Sequence, residues 1–209
     1  MTGVYSKILV ERKRDRPASA VFLDRDGVVI EDHGYVSRAA DVRWIRGAVD
    51  SIRALNEAGL PVILITNQAG VGRGYYGWPE FADVQAAIYQ GLSECKAWVD
   101  AVWACACHED GSGEYRIAGH SHRKPNPGML RDAATALNLD LAESWTVGDK
   151  LCDIEAGLRA GTRAIHVETG YGAACRAEVL GISAAPDRLH CCADLGEAVA
   201  VILRKREMN

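Results

Sequence analysis

Four places in the sequence put side chains that could act on a phosphate or hold a metal at short, defined spacings. Asp24 and Asp26 flank Arg25 in the run Leu23-Asp24-Arg25-Asp26-Gly27. Two carboxylates so close repel each other, and a divalent cation or a cationic reaction centre sharing the site relieves that repulsion. Outside such a site, an Asp-Gly pair is an ordinary solvated turn. Thr66-Asn67-Gln68 runs into a turn with Gly70, Gly72 and Gly74. A hydroxyl beside backbone N–H groups suits a phosphoryl oxygen. Arg123-Lys124-Pro125 offers two adjacent cations, and Val147-Gly148-Asp149-Lys150 a third carboxylate, with Asp153 close behind. Mg2+ takes one or two carboxylates together with phosphate and water, so Asp24 and Asp149 suit it as a shared pair.

A second chemistry lies between these motifs. Cys105-Ala106-Cys107-His108 opens a polar stretch that closes on His120-Ser121-His122. Cys105, Cys107, His120 and His122 make a full tetrahedral zinc set, with His108 a spare donor that could replace Cys107. Cysteines that only fill a strand end, with solvated histidines beyond, would leave a less paired pattern. Four protein ligands leave no open position, so this Zn2+ is expected to be structural, pinning a zinc-binding loop directly before Arg123-Lys124.

The elements that must position these groups follow from the hydrophobic pattern. Short apolar runs at 20–24, 61–66, 101–105, 144–148 and 163–167 alternate with amphipathic stretches at 47–58, 79–97, 127–138 and 151–160. Several runs are continuous, as in strands covered on both faces. The alternation predicts an α/β fold, a Rossmann-like parallel sheet flanked by helices, completed by a strand near 187–190 and a helix near 194–206. Ligands in such sheets bind beyond the carboxyl ends of the strands, where the Asp24, Thr66 and Asp149 motifs fall, with Arg123-Lys124 just before a Pro-started helix. The glycines after Gln68 are half of a dinucleotide fingerprint, but no acidic strand end follows at the required distance, which excludes that reading. Residues 1–17 read as a polar, loosely docked N-terminal arm, and 18–209 as a single domain.

Composition bounds the function classes. The chain has 209 residues, 48% hydrophobic and 25% charged, with 24 basic and 28 acidic side chains, so 24 − 28 = −4. That is a globular composition, not a disordered one. Weak acidity argues against nucleic acid as a partner. No apolar run is long enough to span a membrane. The N-terminal residues lack an apolar secretory core, so a cytoplasmic location is expected. Seven cysteines, an odd number, read as ligands and core fillers rather than disulfides. The chain is expected to be a monomer.

Asp-x-Asp, Thr, Lys and Asp, in that order and each at or just beyond a strand-like run, resemble the haloacid dehalogenase superfamily of phosphoryl-transfer enzymes from about residue 20 to 170. The family commonly has Thr where this chain has Val28. The resemblance implies that Asp24 is the nucleophile of an aspartyl-phosphate pathway and Asp26 its general acid–base. It also implies that Thr66 and Lys124 hold the phosphoryl oxygens, and that Mg2+ sits on Asp24, Asp149 and the backbone carbonyl of Asp26. The intervals between motifs leave no room for a separate cap domain, so loops should cover the site.

The cysteine–histidine loop ahead of Arg-Lys-Pro is similar to the branch containing heptose-bisphosphate 7-phosphatases and histidinol-phosphate phosphatases. Those proteins usually carry Cys-x-His then Cys-x-Cys; here Cys and His are exchanged. Asp32-His33-Gly34-Tyr35-Val36 is similar to the heptose-bisphosphate group. That implies sugar contacts from Asp32, His33, Gly34 and Tyr35 and a second phosphate on Arg123, with Asn67, Gln68, Ala69 and Lys150 nearby. The implied activity is Mg2+-dependent removal of the 7-phosphate from D-glycero-D-manno-heptose 1,7-bisphosphate, a small phosphorylated sugar, in nucleotide-activated heptose biosynthesis. Histidinol phosphate is the alternative substrate, though an amine would want carboxylates where Arg123 stands. A non-catalytic, zinc-stabilised phospho-ligand module is the third reading, and the complete set of Asp24, Asp26, Thr66, Lys124 and Asp149 speaks against it.

Overall fold

A computed structural model describes residues 3–185 and 187–208. In chain order the elements are β1 (Val4–Ile8), β2 (Val21–Leu23), α1 (Ala48–Glu57), β3 (Val62–Asn67), α2 (Ala69–Gly72), α3 (Trp78–Glu94) and β4 (Ala101–Cys105). They continue with α4 (Gly128–Leu137), β5 (Trp145–Gly148), α5 (Leu151–Ala160), β6 (Arg163–Val167), α6 (Gly172–Leu180), β7 (Leu189–Cys192) and α7 (Leu195–Glu207). The strands form one sheet in the order β1-β4-β3-β2-β5-β6-β7. Neighbouring pairs from β4 through to β7 run parallel.

Continuous apolar runs become central strands because alternate side chains enter different cores. Val21, Leu23, Val62, Leu64 and Val147 pack with α1, α3 and α7. Phe22, Ile63, Ile65 and Trp103 pack against Met129, Leu130, Ala133 and Leu137 of α4. β2 pairs with β3 on one side and β5 on the other, so the strand order reverses around it. Such a reversal opens a crevice beyond the strand ends.

The loosely docked arm expected over residues 1–17 is corrected by the structure; Met1 and Thr2 lie outside the described residues. Val4–Ile8 is the antiparallel edge strand of the sheet, with Ser6 facing Trp103 across the pair. The following segment is tied down, since the N–H groups of Leu9 and Val10 both reach the carbonyl of Asp100, at 2.8 and 3.1 Å. β1 was hidden because it is half-exposed and carries Ser6 and Lys7; a lysine on an edge strand also discourages further pairing. α6 was unforeseen as well, because only Gly172 and Val179 of it are buried. Among the described residues no helix is long and apolar enough to cross a membrane.

Candidate active site

Asp24 emerges from the carboxyl end of β2, its N–H bonded to the Val147 carbonyl at 3.0 Å. Its Oδ1 lies 2.8 Å from Lys124 Nζ, which also donates to the Ile65 carbonyl at 2.9 Å and meets Asp153 Oδ1 at 2.6 Å. All three charged side chains are buried. Asn67, ending β3, clamps Lys124 from behind: its amide donates to the Lys124 carbonyl and accepts the Lys124 N–H, both at 3.0 Å. Lys124 thus arrives in a fixed orientation although it comes from a loop.

Asp149 ends the next strand over, β5. Its Oδ2 accepts the Tyr171 N–H at 2.8 Å. Its Oδ1 is buried with no hydrogen-bond partner, and leaving such an oxygen unmet is costly. Carboxylate oxygens of Asp24, Asp149 and Asp153 lie within 4.8 Å of one another. Burial, with Asp153 and Asp149 adding repulsion against the pull of Lys124, pushes the Asp24 carboxyl up to about 8. Burial and Asp153 push Asp149 up to about 6. Burial opposes the charge on Lys124, yet Asp153 and Asp24 hold its pKa above the ordinary value. An orphaned carboxylate oxygen within a hard-oxygen cluster short of positive charge fits a divalent cation.

Two glycines make this approach possible. Gly27 and Gly170 both adopt positive φ, and a Cβ on either would collide with the Asp149 carboxylate. Thr169 Oγ1 donates to the Gly27 carbonyl at 2.7 Å, joining the loop after β6 to the loop after β2.

A cavity of about 410 Å³ opens above the cluster. Of the residues expected to act, Asp24, Asp26, Asp32, Gly34, Tyr35, Thr66, Asn67, Gln68, Ala69, Arg123, Lys124 and Lys150 all line it. Asp149 lies beneath. His33 is turned away, exposed and paired with Glu31 at 2.9 Å. Lys150 pairs with Asp32 at 2.9 Å and lies over the Tyr171 ring at 4.6 Å. The Arg123 guanidinium reaches the Cys107 carbonyl at 3.1 Å, and no carboxylate pairs with it among the described residues. Gln68 spends both ends of its amide inside the protein: Oε1 accepts Tyr76 Oη at 2.6 Å, and Nε2 donates to Thr66 at 2.8 Å and Asp26 at 3.1 Å.

Sequence reasoning did not assign Asp153, Thr169, Gly170 or Tyr171. Asp153 stood close to Asp149 in the chain and could have been found as the N-terminal carboxylate of α5, where it accepts the Lys150 N–H at 3.0 Å. Tyr171 acts through its backbone N–H, for which residue type gives no signal, and Thr169 and Gly170 lie in a loop where a single hydroxyl or glycine is unremarkable in sequence.

The cysteine–histidine loop is gathered in part. Cys105, Cys107 and His120 offer ligand atoms within 4.8 Å of one another. His122 stands apart from that group: its Nε2 lies 2.7 Å from Asp132 Oδ2 and its Nδ1 3.1 Å from Ser121 Oγ. His108 is engaged elsewhere, with Nδ1 accepting the Asp110 N–H at 2.9 Å.

Comparison with known proteins now decides the family. A HAD-hydrolase-like family model matches residues 121–198. A D-glycero-beta-D-manno-heptose-1,7-bisphosphate 7-phosphatase from Yersinia pestis is 38% identical over 182 residues, covering 86% of this chain and 94% of that protein. The chain belongs to the heptose-bisphosphate phosphatase family of HAD-like hydrolases. The protein of the same name from Mesorhizobium japonicum is 48% identical over 142 residues, 68% of this chain and 65% of that protein. A crystal structure of D,D-heptose 1,7-bisphosphate phosphatase from B. bronchiseptica, complexed with magnesium and phosphate, superposes with a TM-score of 0.79 and 31% identity, covering 90% of this chain and 99% of that one. The chain is a phosphoric monoester hydrolase, and the dinucleotide reading has no support.

Proposed function

We infer that this enzyme removes the 7-phosphate of D-glycero-β-D-manno-heptose 1,7-bisphosphate. The observation that carries the reading is Arg123. It lies in the same cavity wall as Lys124, half-buried, with no carboxylate of its own among the described residues. A planar donor held in this way suits a second anionic group on a substrate whose first phosphate lies on Lys124 and Thr66. Lys150, paired with Asp32, borders the space between them. An ammonium such as that of histidinol phosphate would meet Arg123 and Lys150 unfavourably.

In the first half-reaction an Asp24 carboxylate oxygen bonds to phosphorus as the bond to the sugar oxygen breaks, and Asp26 gives its proton to the departing alkoxide. In the second, Asp26 takes a proton from water as the water oxygen bonds to phosphorus and the aspartyl–phosphate bond breaks. Inorganic phosphate leaves, and both carboxyl groups return to their starting states. Lys124 and Thr66 hold the equatorial oxygens throughout, and such fixed charge is commonly the largest contribution to rate. Mg2+, held by Asp24, Asp149 and the Asp26 carbonyl, would neutralise charge on the nucleophile and phosphate when bound. A charged sugar bisphosphate does not cross membranes unaided, so the enzyme works in the cytoplasm beside its substrate.

A structural Zn2+ on Cys105, Cys107, His120 and His122 is part of the same reading. Asp132, bonded to His122 Nε2, leaves Nδ1 as the donor, in the manner of carboxylate–histidine pairs that fix a ligand's tautomer. The test is phosphate release by the purified protein with Mg2+, offering the heptose bisphosphate and histidinol phosphate in parallel. Preference for the bisphosphate, abolished by Asp24→Asn, is expected. Faster turnover of histidinol phosphate, or undiminished release by the variant, would refute the reading.

A further inference from the structure

Arg25 is the largest fully buried side chain in the protein and is 0% exposed, although it lies between the two reacting carboxylates in sequence. A buried guanidinium is costly unless its donors are met. Here Nε lies 3.0 Å from Asp26 Oδ1 and Nη2 2.9 Å from Asp26 Oδ2, a fork on one carboxylate. Behind the fork, Nη1 reaches Gln85 Oε1 at 3.3 Å and Nη2 reaches Gln68 Oε1 at 3.4 Å. The guanidinium face rests on the Phe81 ring, 5.3 Å from its centroid. Gln85 is itself buried and passes its amide to Tyr89 Oη at 3.3 Å. Arg25 borders the cavity but has no exposed surface, so its hydrogen bonds go to protein groups and chiefly to Asp26.

We propose that Arg25, backed by Gln85 and Gln68, is the positioning residue of Asp26. It holds that carboxylate in the single orientation from which it can reach both the leaving oxygen and the attacking water. The inference rests on Asp26 being the acid–base group. Without the fork Asp26 keeps only the Gln68 amide at 3.1 Å and the Thr66 hydroxyl at 3.5 Å, both on one oxygen, with 16% of its side chain exposed. Loss of near-attack placement by about 1 Å costs on the order of 10²-fold in rate. The fork specifies direction as well as charge, so a lysine, which carries the charge on a flexible point donor, should not replace it.

The experiment compares first turnovers on two substrates. A sugar phosphate needs a proton on its departing alkoxide; p-nitrophenyl phosphate, whose phenolate leaves unaided, does not. Arg25→Lys should slow the first turnover of the sugar bisphosphate by about 10²-fold and that of p-nitrophenyl phosphate by no more than about threefold. Gln85→Met, which leaves the guanidinium but loosens its backing, should give the same split at about three- to tenfold. Thermal melting checks that both variants fold, and if Arg25→Lys does not, Gln85→Met carries the test. Equal losses on the two substrates, or no loss on either, overturn the proposal. Asp26→Asn separates the two layers of argument. If it shows the split and the Arg25 and Gln85 variants do not, the positioning role fails alone; if Asp26→Asn shows none, the acid–base reading fails with it.

Discussion

Replacing Asp24, the proposed nucleophile, with asparagine should make the metal-free protein more stable at neutral pH and not at acid pH. Asp24 is pushed from an ordinary 3.8 up to about 8, chiefly by burial. Between those values the folded protein holds a proton that the unfolded chain releases, so stability falls as pH rises through the window, by about 1.4 kcal/mol for each pH unit. Lys124 has its pKa raised from 10.5, so its contribution is already complete below that pH and constant across the window. At pH 7 the proton on Asp24 costs about 4 kcal/mol, and Asp24→Asn removes that cost. The variant also weakens the contact with Lys124 at 2.8 Å, an amide oxygen replacing a carboxyl oxygen as acceptor, at a cost of up to about 1.5–3 kcal/mol. The balance favours Asp24→Asn by about 2 kcal/mol at pH 7, a rise of about 4–8 °C in Tm for a chain of this size. At pH 5 the proton costs less than about 2 kcal/mol, and the variant should melt at or below the wild type. Saturating Mg2+ should reverse the order at pH 7, because the wild type alone keeps the full ligand set. The assay is thermal melting of both proteins from pH 5 to 8, with chelator and with Mg2+. An offset between the two that is independent of pH, or that shrinks as pH rises in chelator, refutes the reasoning; the comparison cancels the titrating groups that lie away from Asp24.

Three more perturbations probe the supports of the site. Asp153→Asn removes the 2.6 Å partner of Lys124 and should lower kcat by about 10–100-fold with little change in KM; an unaltered kcat in steady-state kinetics would show that Asp24 and Asn67 suffice. Gly170→Ala drives a methyl group into the Asp149 carboxylate at a positive-φ position and should weaken Mg2+ binding by at least about tenfold in calorimetric titration, with unchanged affinity counting against the cradle. Asp132→Ala frees His122 Nε2 and should weaken zinc retention by about 10–100-fold against a competing chelator; equal retention would mean that His122 is not a ligand.

How far the site could be read from the sequence depended on which atoms do the work. Asp24, Thr66 and Asp149 were legible because a parallel sheet delivers them to one edge, and a continuous apolar run marks where each strand stops. Lys124 was legible only through its neighbours, since the residue that aims it, Asn67, does so with a reciprocal amide clamp. Gln68 was expected beside the substrate, and its polar atoms prove to be bound to Tyr76, Thr66 and Asp26. Arg25 carried no signal at all, because a charged residue between two aspartates looks solvated until the fold closes α3 over it. β1 was missed for the opposite reason: half of an edge strand belongs to solvent, so its sequence shows no buried period.

The charges in the cavity explain why one site can both hold a cation and receive an anion. Arg25 neutralises Asp26, and Lys150 neutralises Asp32. What remains under the cavity floor is Asp24, Asp149 and Asp153 against Lys124, so −3 + 1 = −2 when all are ionised. A divalent cation closes that sum, and protons on Asp24 and Asp149 substitute for it when no cation is bound; burial first, and the crowding of carboxylates second, raise their pKa values. Arg123 then stands in the wall with a positive charge that no carboxylate among the described residues offsets. A monophosphate would satisfy the floor and leave this charge unanswered. On the proposed reading the floor sets the chemistry and Arg123 the preference for a second phosphate, so replacing Arg123 with methionine should raise KM for the bisphosphate by about 10–100-fold while leaving turnover of a monophosphate nearly unchanged. Equal losses on both substrates would place Arg123 in the floor's own chemistry instead.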